Sequence, residues 1–122
     1  MAIQQCEDLD VYNLAFEKAM EIFEETRRFP KEELYSLVDQ LRRSSRSVPV
    51  NIREGFAKRK YPDVFIRHLN DALGSSEETV TWLEFAHKCG YLHESRYADL
   101  REKYKAIGAM IYRLMTGWQK FD

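Results

Sequence analysis

Apolar side chains return every three or four positions in four separate blocks of the chain, and each block reads as an amphipathic helix. The first spans about Asp10 to Arg28, with Tyr12, Ala15, Phe16, Ala19, Ile22, Phe23 and Thr26 on its inner stripe. Asp8 and Asp10 stand where N-terminal caps are expected, Arg27 and Arg28 suit the negative end of the helix dipole, and Phe29-Pro30 ends the element. The second block begins near Lys31 and carries Leu34, Leu37, Val38, Leu41, Ser45, Val48 and Ile52. Pro49 falls inside it, yet the stripe keeps its phase into Ile52, so the pattern predicts one kinked helix continuing to about Ala57.

Tyr61-Pro62-Asp63 opens the third helix, whose inner face is Phe65, Leu69, Ala72, Leu73, Ser76, Val80, Leu83 and His87, and Gly90 is its C-terminal cap. Gly74, Ser75 and Ser76 are small enough to let a neighbouring helix approach closely. The fourth helix follows Glu94 or Ser95. Its Tyr97, Leu100, Tyr104, Ile107, Ile111, Leu114 and Trp118 form the cleanest heptad in the chain. Connections are short, about Phe29–Lys31, Arg59–Tyr61 and Gly90–Glu94, and short connections join antiparallel neighbours. The predicted fold is an all-α, antiparallel up-down-up-down four-helix bundle, one domain over residues 1–122 with its second helix kinked at Pro49.

Composition agrees with this pattern. A chain of 122 residues with 44% hydrophobic positions can bury a core unaided, and 3 prolines and 5 glycines are too few for a turn-rich β-sandwich. Cys6 and Cys89 are not required as a disulfide. Met1 to Cys6 lacks the apolar stretch of a signal peptide and no uncharged run approaches the ~20 residues of a membrane span, which makes a cytoplasmic protein the expectation and a membrane partner not expected.

Charge changes the picture more. The formal net charge is −1, but Leu41 to Lys60 holds Arg42, Arg43, Arg46, Arg53, Lys58, Arg59 and Lys60 against the single acid Glu54, whereas the first helix region is acidic. On a helix, Arg42, Arg46 and Arg53 share one stripe beside the core seam, Arg43 and Glu54 another, and Lys58-Arg59-Lys60 lies at the end. Such a set attracts the phosphates of RNA or DNA, with Phe56 and Tyr61 as flanking aromatics for base stacking. The competing reading is that these cations pair with acids of a neighbouring helix or subunit, so that the protein is an interaction scaffold whose charged faces serve self-assembly. Trp82, Tyr91, Tyr112, Trp118 and Phe121 read as core or interface.

Catalytic chemistry is not expected. There is no phosphate-cradling Gly-rich loop, no CxxC pair and no nucleophile motif. Glu84-x-x-His87 has the spacing of a di-iron bundle ligand pair, but such sites need it twice, and His68 and His93 follow Phe65 and Gly90 at that distance. His87, Cys89 and His93 lack a fourth zinc ligand, so neither metal nor cofactor is expected.

Several segments together resemble a known family. They are Asp8-Leu9-Asp10-Val11-Tyr12, Phe29-Pro30, Gln40-Leu41-Arg42-Arg43, Ser47-Val48-Pro49-x-Asn51-Ile52-x-Glu54-Gly55, Gly74-Ser75 and Gly90-Tyr91-Leu92. In this order they are similar to the bacterial four helix bundle proteins, also called S23 ribosomal or 23S rRNA intervening-sequence proteins. The resemblance implies an antiparallel four-helix bundle assembled as a homopentamer, with no known enzymatic activity. It also implies kinship with the pentameric accessory protein of diversity-generating retroelements, which binds RNA and a protein partner, a reverse transcriptase. It marks Arg43, Pro49, Asn51, Glu54 and Gly55 as family-motif residues with an expected part in assembly. The chain departs from the family pattern at Ser44, Ser45 and Arg46, where small apolar residues are usual, at Arg53 in place of a usual alanine, and at Val80 in place of a frequent glutamate. Arg46 and Arg53 thereby add positive charge.

Overall fold

The computed structural model describes residues 2–120. Four helices carry the chain: α1 (Asp10–Thr26), α2 (Leu37–Ala57), α3 (Pro62–Lys88) and α4 (Glu94–Lys120). Short 3-10 turns lie at Cys6–Asp8 and Lys31–Glu33, and no strand occurs among the described residues. The α2–α3 seam is the most extensive, followed by α3–α4 and α1–α2, and α1 closes more sparsely on α4. No helix among the described residues is long and apolar enough to cross a membrane.

The heptad of α4 becomes the centre of the core. Leu100, Tyr104, Ile107 and Ile111 are fully buried, and they meet Ile22, Leu41, Val48, Ile52, Phe65, Leu69 and Leu83 from the other helices. Burying each such side chain contributes about 1.5–3 kcal/mol, which is what holds four individually marginal helices in place. Phe65 stacks edge-on against Trp118, with 4.7 Å between ring centroids, and fixes the far end of α4.

Between α2 and α3 the seam is polar and narrow. Thr79 Oγ1 donates to Ser44 Oγ (2.9 Å), Ser47 and Ser75 share a hydroxyl hydrogen bond (2.9 Å), and Asn51 Oδ1 lies 3.2 Å from His68 Nδ1. Residue numbers rise along α2 as they fall along α3 through these pairs. Small side chains permit the approach, and the hydroxyls that enter the interior bond one another and nearby carbonyls, which offsets the cost of removing them from water. Gly55 completes the seam: a Cβ there would lie 2.6 Å from His68 Cβ and 2.9 Å from Phe65 Cδ1.

At the end of α3, Gly90 takes the expected cap, with φ 80, its N–H donating to His87 O and that of Tyr91 to Ala86 O.

Several boundaries and faces differ from the sequence reading. The second helix starts at Leu37, not near Lys31: Lys31–Glu33 is a 3-10 turn, and Ser36 leaves helical geometry with φ −128 and ψ −103. The connection is therefore longer than Phe29–Lys31, and Leu34 is 44% exposed in the turn instead of buried on a stripe. Phe16 is 51% exposed, because the buried line of α1 runs through Val11, Ala15, Lys18, Ala19 and Ile22, and Phe16 is rotated off it by one residue. In α3, Thr79 and Ala86 are buried, whereas Val80 and His87 are only half-buried. Asp8 caps the preceding 3-10 turn instead of α1: the N–H groups of Gln4 and Gln5 donate to its carboxylate at 2.9 and 3.1 Å, holding it below its ordinary pKa. Tyr112 is exposed, and Phe121 lies outside the described residues.

Candidate nucleic-acid interface

The basic residues of α2 divide into groups with different surroundings. Arg42 is half-buried against α1. Its Nε donates to Thr26 Oγ1 at 2.9 Å, and its guanidinium carbon sits 4.6 Å from the centroid of the Phe23 ring. Thr26 is itself buried and donates to Ile22 O at 2.8 Å, so the acceptor that orients Arg42 is fixed. Arg46, one turn on, lies 5.8 Å from the same ring, and Arg27 from the end of α1 also lies at 5.8 Å. Burial first, then the charges of Arg46 and Arg27, pull the Arg42 pKa below its ordinary value. Three guanidiniums thus surround one aromatic side chain, and among the described residues the sole carboxylate paired with any of them is Glu24, 3.5 Å from Arg27.

Arg53 has a different fate. It hydrogen-bonds Tyr12 Oη (3.3 Å), pairs with Glu7, and lies 5.0 Å from the Tyr12 ring centroid. The bond to Tyr12 and the one to Glu7 raise its pKa, and Arg53 in turn holds the Glu7 carboxyl below its usual range. This cation staples the segment before α1 onto α2, and its charge is balanced within the chain.

At the α2–α3 turn, Lys58 and Lys60 are exposed and Arg59 is half-buried. Arg59 lies over Phe56, its guanidinium carbon 3.9 Å from the ring centroid, and donates to Phe56 O at 3.0 Å. Phe56 is buried, which corrects its expected role as a base-stacking platform: it packs edge-on against Phe65 and is roofed by Arg59. Tyr61 is 61% exposed and remains available, with Lys60 5.9 Å from its ring. Arg43 projects from another face, its nearest acid Asp39 at 4.0 Å.

The grouping of Arg27 and Phe23 with Arg42 and Arg46 was missed in the sequence. Read locally, Phe23 was core and Arg27 a dipole partner; only the pairing of α1 with α2 brings them together. A second missed feature is an apolar groove of about 290 Å³ between α1 and α2, lined by Tyr12, Phe16, Met20, Pro49 and Val50 and flanked by Arg46 and Arg53.

His87 stacks on Tyr97 (4.6 Å, 3° between planes) with Nε2 2.7 Å from Glu94 and Nδ1 3.3 Å from Leu92 O, and no group of three or more His, Cys, Asp or Glu among the described residues could hold an ion. Cys6 is buried and Cys89 exposed, both as free thiols.

Residues 7–113 match the 23S rRNA-intervening sequence protein family. The chain belongs to that family. Its fold is shared with a protein of unknown function from the S23 ribosomal protein family of Bacteroides thetaiotaomicron VPI-5482, with a TM-score of 0.76 and 24% identity over 86% of this chain and 97% of that one. No curated protein matches it.

In this member of the 23S rRNA-intervening sequence family, the most specific motif residues separate by location. Pro49 and Gly55 are buried, and Asn51 donates through Nδ2 to Ser47 O and Oγ, both at 3.0 Å, while its Oδ1 faces His68. These three shape α2 and its seam with α3. Arg43 and Glu54 are exposed.

Proposed function

We propose that this 23S rRNA-intervening sequence family member is a non-enzymatic, self-assembling helical bundle that binds nucleic acid, RNA foremost, through the basic side of α2. The observation that carries the reading is that Arg42, Arg46, Lys58, Arg59 and Lys60 form no ion pair with a carboxylate among the described residues, whereas Arg53 does. Cations left without an internal partner are those available to phosphates. The family's name, which joins it to an intervening sequence of rRNA, supports RNA as the polyanion.

Assembly as a homopentamer in the cytoplasm fits the same reading. Phe16, Met20 and Val50, each about half exposed, form an apolar strip that a second copy would cover. Repeating a modest basic patch around a ring supplies affinity by multivalency. Within each copy the helices run up-down-up-down, as the residue pairings across the seams suggest, with α2 bent at Pro49, where the missing N–H leaves one carbonyl of the preceding turn without its partner.

The apolar strip also favours the second reading, a scaffold in which charged faces serve self-assembly alone. Binding of a labelled single-stranded RNA, followed by fluorescence anisotropy across a salt series, separates the two. RNA affinity should fall steeply with salt and vanish in the triple variant Lys58→Glu, Arg59→Glu, Lys60→Glu; unaltered binding in that variant refutes the Lys58–Lys60 cluster as the contact, and an absence of binding by the wild type refutes the nucleic-acid reading. Under the scaffold reading no RNA binds, and Arg43→Ala or Glu54→Ala lowers the mass measured by light scattering.

A further inference from the structure

We propose that Arg27, Arg42 and Arg46, gathered around Phe23, form a phosphate-binding cradle distinct from the Lys58–Lys60 cluster. The proposal deepens the nucleic-acid reading by naming a phosphate contact, but it stands on the geometry of the cradle alone.

The three guanidinium carbons lie 5.8, 4.6 and 5.8 Å from one ring centroid, and they come from two helices. The charges of Arg46 and Arg27 both act on Arg42, so the triad repels itself and folding into it needs compensation. The face of the Phe23 ring supplies part. Glu24 supplies one carboxylate, to Arg27 alone. Arg42 and Arg46 have no carboxylate partner among the described residues, and Arg42 is the least solvated of the three.

Pre-organisation is visible at Arg42. Thr26 accepts from its Nε, and Thr26 is held by hydrogen bonds to Ile22 O and Phe23 O at 2.8 and 3.0 Å. That leaves the terminal amino groups of a fixed guanidinium without a protein acceptor among the described residues. Arg46 and Arg27 are exposed, lie near the same ring and bring further N–H donors. A guanidinium offers up to five donors in a planar fork, so three of them match an anion with several acceptor oxygens and more than one negative charge. A phosphate monoester or inorganic phosphate has both properties, and a phosphodiester has the oxygens with a single charge. One carboxylate from a second copy would satisfy fewer donors and leave more charge unbalanced.

Two sources present this chemistry: free phosphate, and a phosphodiester within RNA. The test follows the Arg42 Nε–Hε NMR signal while inorganic phosphate replaces chloride at constant ionic strength, and in parallel the anisotropy of a labelled single-stranded RNA. Both are repeated with the exposed pair changed, Arg27→Gln with Arg46→Gln, which leaves Arg42 and its bond to Thr26 in place. A saturable shift in the wild type that disappears in the double variant is expected. The variant should also bind the RNA roughly tenfold more weakly, and the slope of log affinity against log salt should drop by about 0.7, the value for one phosphate contact on a single strand. An RNA effect without a shift by inorganic phosphate assigns the cradle to a phosphodiester. A shift without any RNA binding assigns it to free phosphate and removes the nucleic-acid reading instead. RNA binding that is equal in wild type and variant, with no shift by inorganic phosphate, overturns the cradle and leaves the lysine cluster as the RNA contact. Loss of oligomer mass in the variant, again with no response to phosphate or RNA, overturns it in favour of a carboxylate from a second copy.

Discussion

Replacing Gly55 by alanine should open the α2–α3 seam. An added Cβ would stand 2.6 Å from His68 Cβ, an atom fixed to the α3 backbone that no rotamer change can move. Ordinary carbon–carbon contact is about 3.5–4.0 Å, so the helices must part locally by roughly 1 Å. That displacement stretches the neighbouring Asn51–His68 and Ser47–Ser75 hydrogen bonds, at 3.2 and 2.9 Å. Overpacking costs about 1–3 kcal/mol, and the weakened hydrogen bonds add about 0.5–1.5 kcal/mol each if lost. Against this, alanine gains about 0.8–1 kcal/mol over glycine inside a helix. The net expectation is a loss of about 1–3 kcal/mol, read as a lower urea midpoint at unchanged slope. Gly74→Ala is the control, since a Cβ there meets nothing within 4 Å and keeps only the helix gain. Gly55→Ala that matches or exceeds the wild type in stability refutes the close approach of α2 and α3.

Tyr104 is buried, its hydroxyl has no hydrogen-bond partner among the described residues, and burial followed by the charge of Glu21 raises its pKa; Tyr104→Phe should hold or increase stability by about 1 kcal/mol, and a loss beyond about 1 kcal/mol in thermal or urea unfolding means that the hydroxyl does have a partner. Ile107→Ala removes a fully buried side chain at the middle of α4 and should cost about 2–5 kcal/mol, with a change within 0.5 kcal/mol excluding the assigned core face. Glu7 and Asp8 have folded-state pKa values below their unfolded ones, so what they add to the N-terminal turn is complete above about pH 4 and lost as pH falls through the lower folded values. Amide protection of Asp8 and Leu9, corrected for intrinsic exchange rates, should decline over that range, and Arg53→Ala should reproduce part of the decline at pH 7. Protection that stays constant to pH 3 would show that neither carboxylate anchors the turn.

How legible each part was depends on how far apart in the chain its determinants lie. The α4 face was readable because seven residues repeat one spacing and a single misassignment cannot rotate it. Phe16 was not, since it adjoins Ala15 and either could have led the stripe; the choice is made by α2 and α4, which take the small side chain and leave the aromatic in the groove. The start of α2 was hidden because Leu34 continues the apolar phase of Leu37, Val38 and Leu41, and Ser36, the residue before the helix, makes no side-chain cap hydrogen bond that would mark the boundary. Buried Lys18 goes against residue type altogether: its stem lies in the α1 face and its ammonium reaches Glu21 at 2.6 Å. Of the basic set, the sequence located the stripe but not its partners. Glu7 and Arg53 are 46 positions apart, and no local pattern distinguishes that neutralised arginine from Arg46.

That division bears on what family membership can say about function. Pro49, Asn51 and Gly55 are held by requirements inside one copy, namely the path of α2 and its narrow seam with α3, and a chain can meet these requirements whatever it binds. The cations outside the motif answer to other demands. Arg46 and Lys58 are separated by twelve positions of α2 and its end, roughly 18 Å at 1.5 Å per residue, and Arg53 between them is balanced by Glu7. Within the basic segment of α2 and its end, the positive charge left unpaired among the described residues therefore lies in two places instead of along a continuous stripe. A long polyanion can engage both at once and gain from the linkage, whereas a small anion can occupy only one. The fold thus supplies a rigid spacing between two charge clusters, and that spacing, more than the total charge of the segment, is what would make a nucleic-acid strand the preferred ligand.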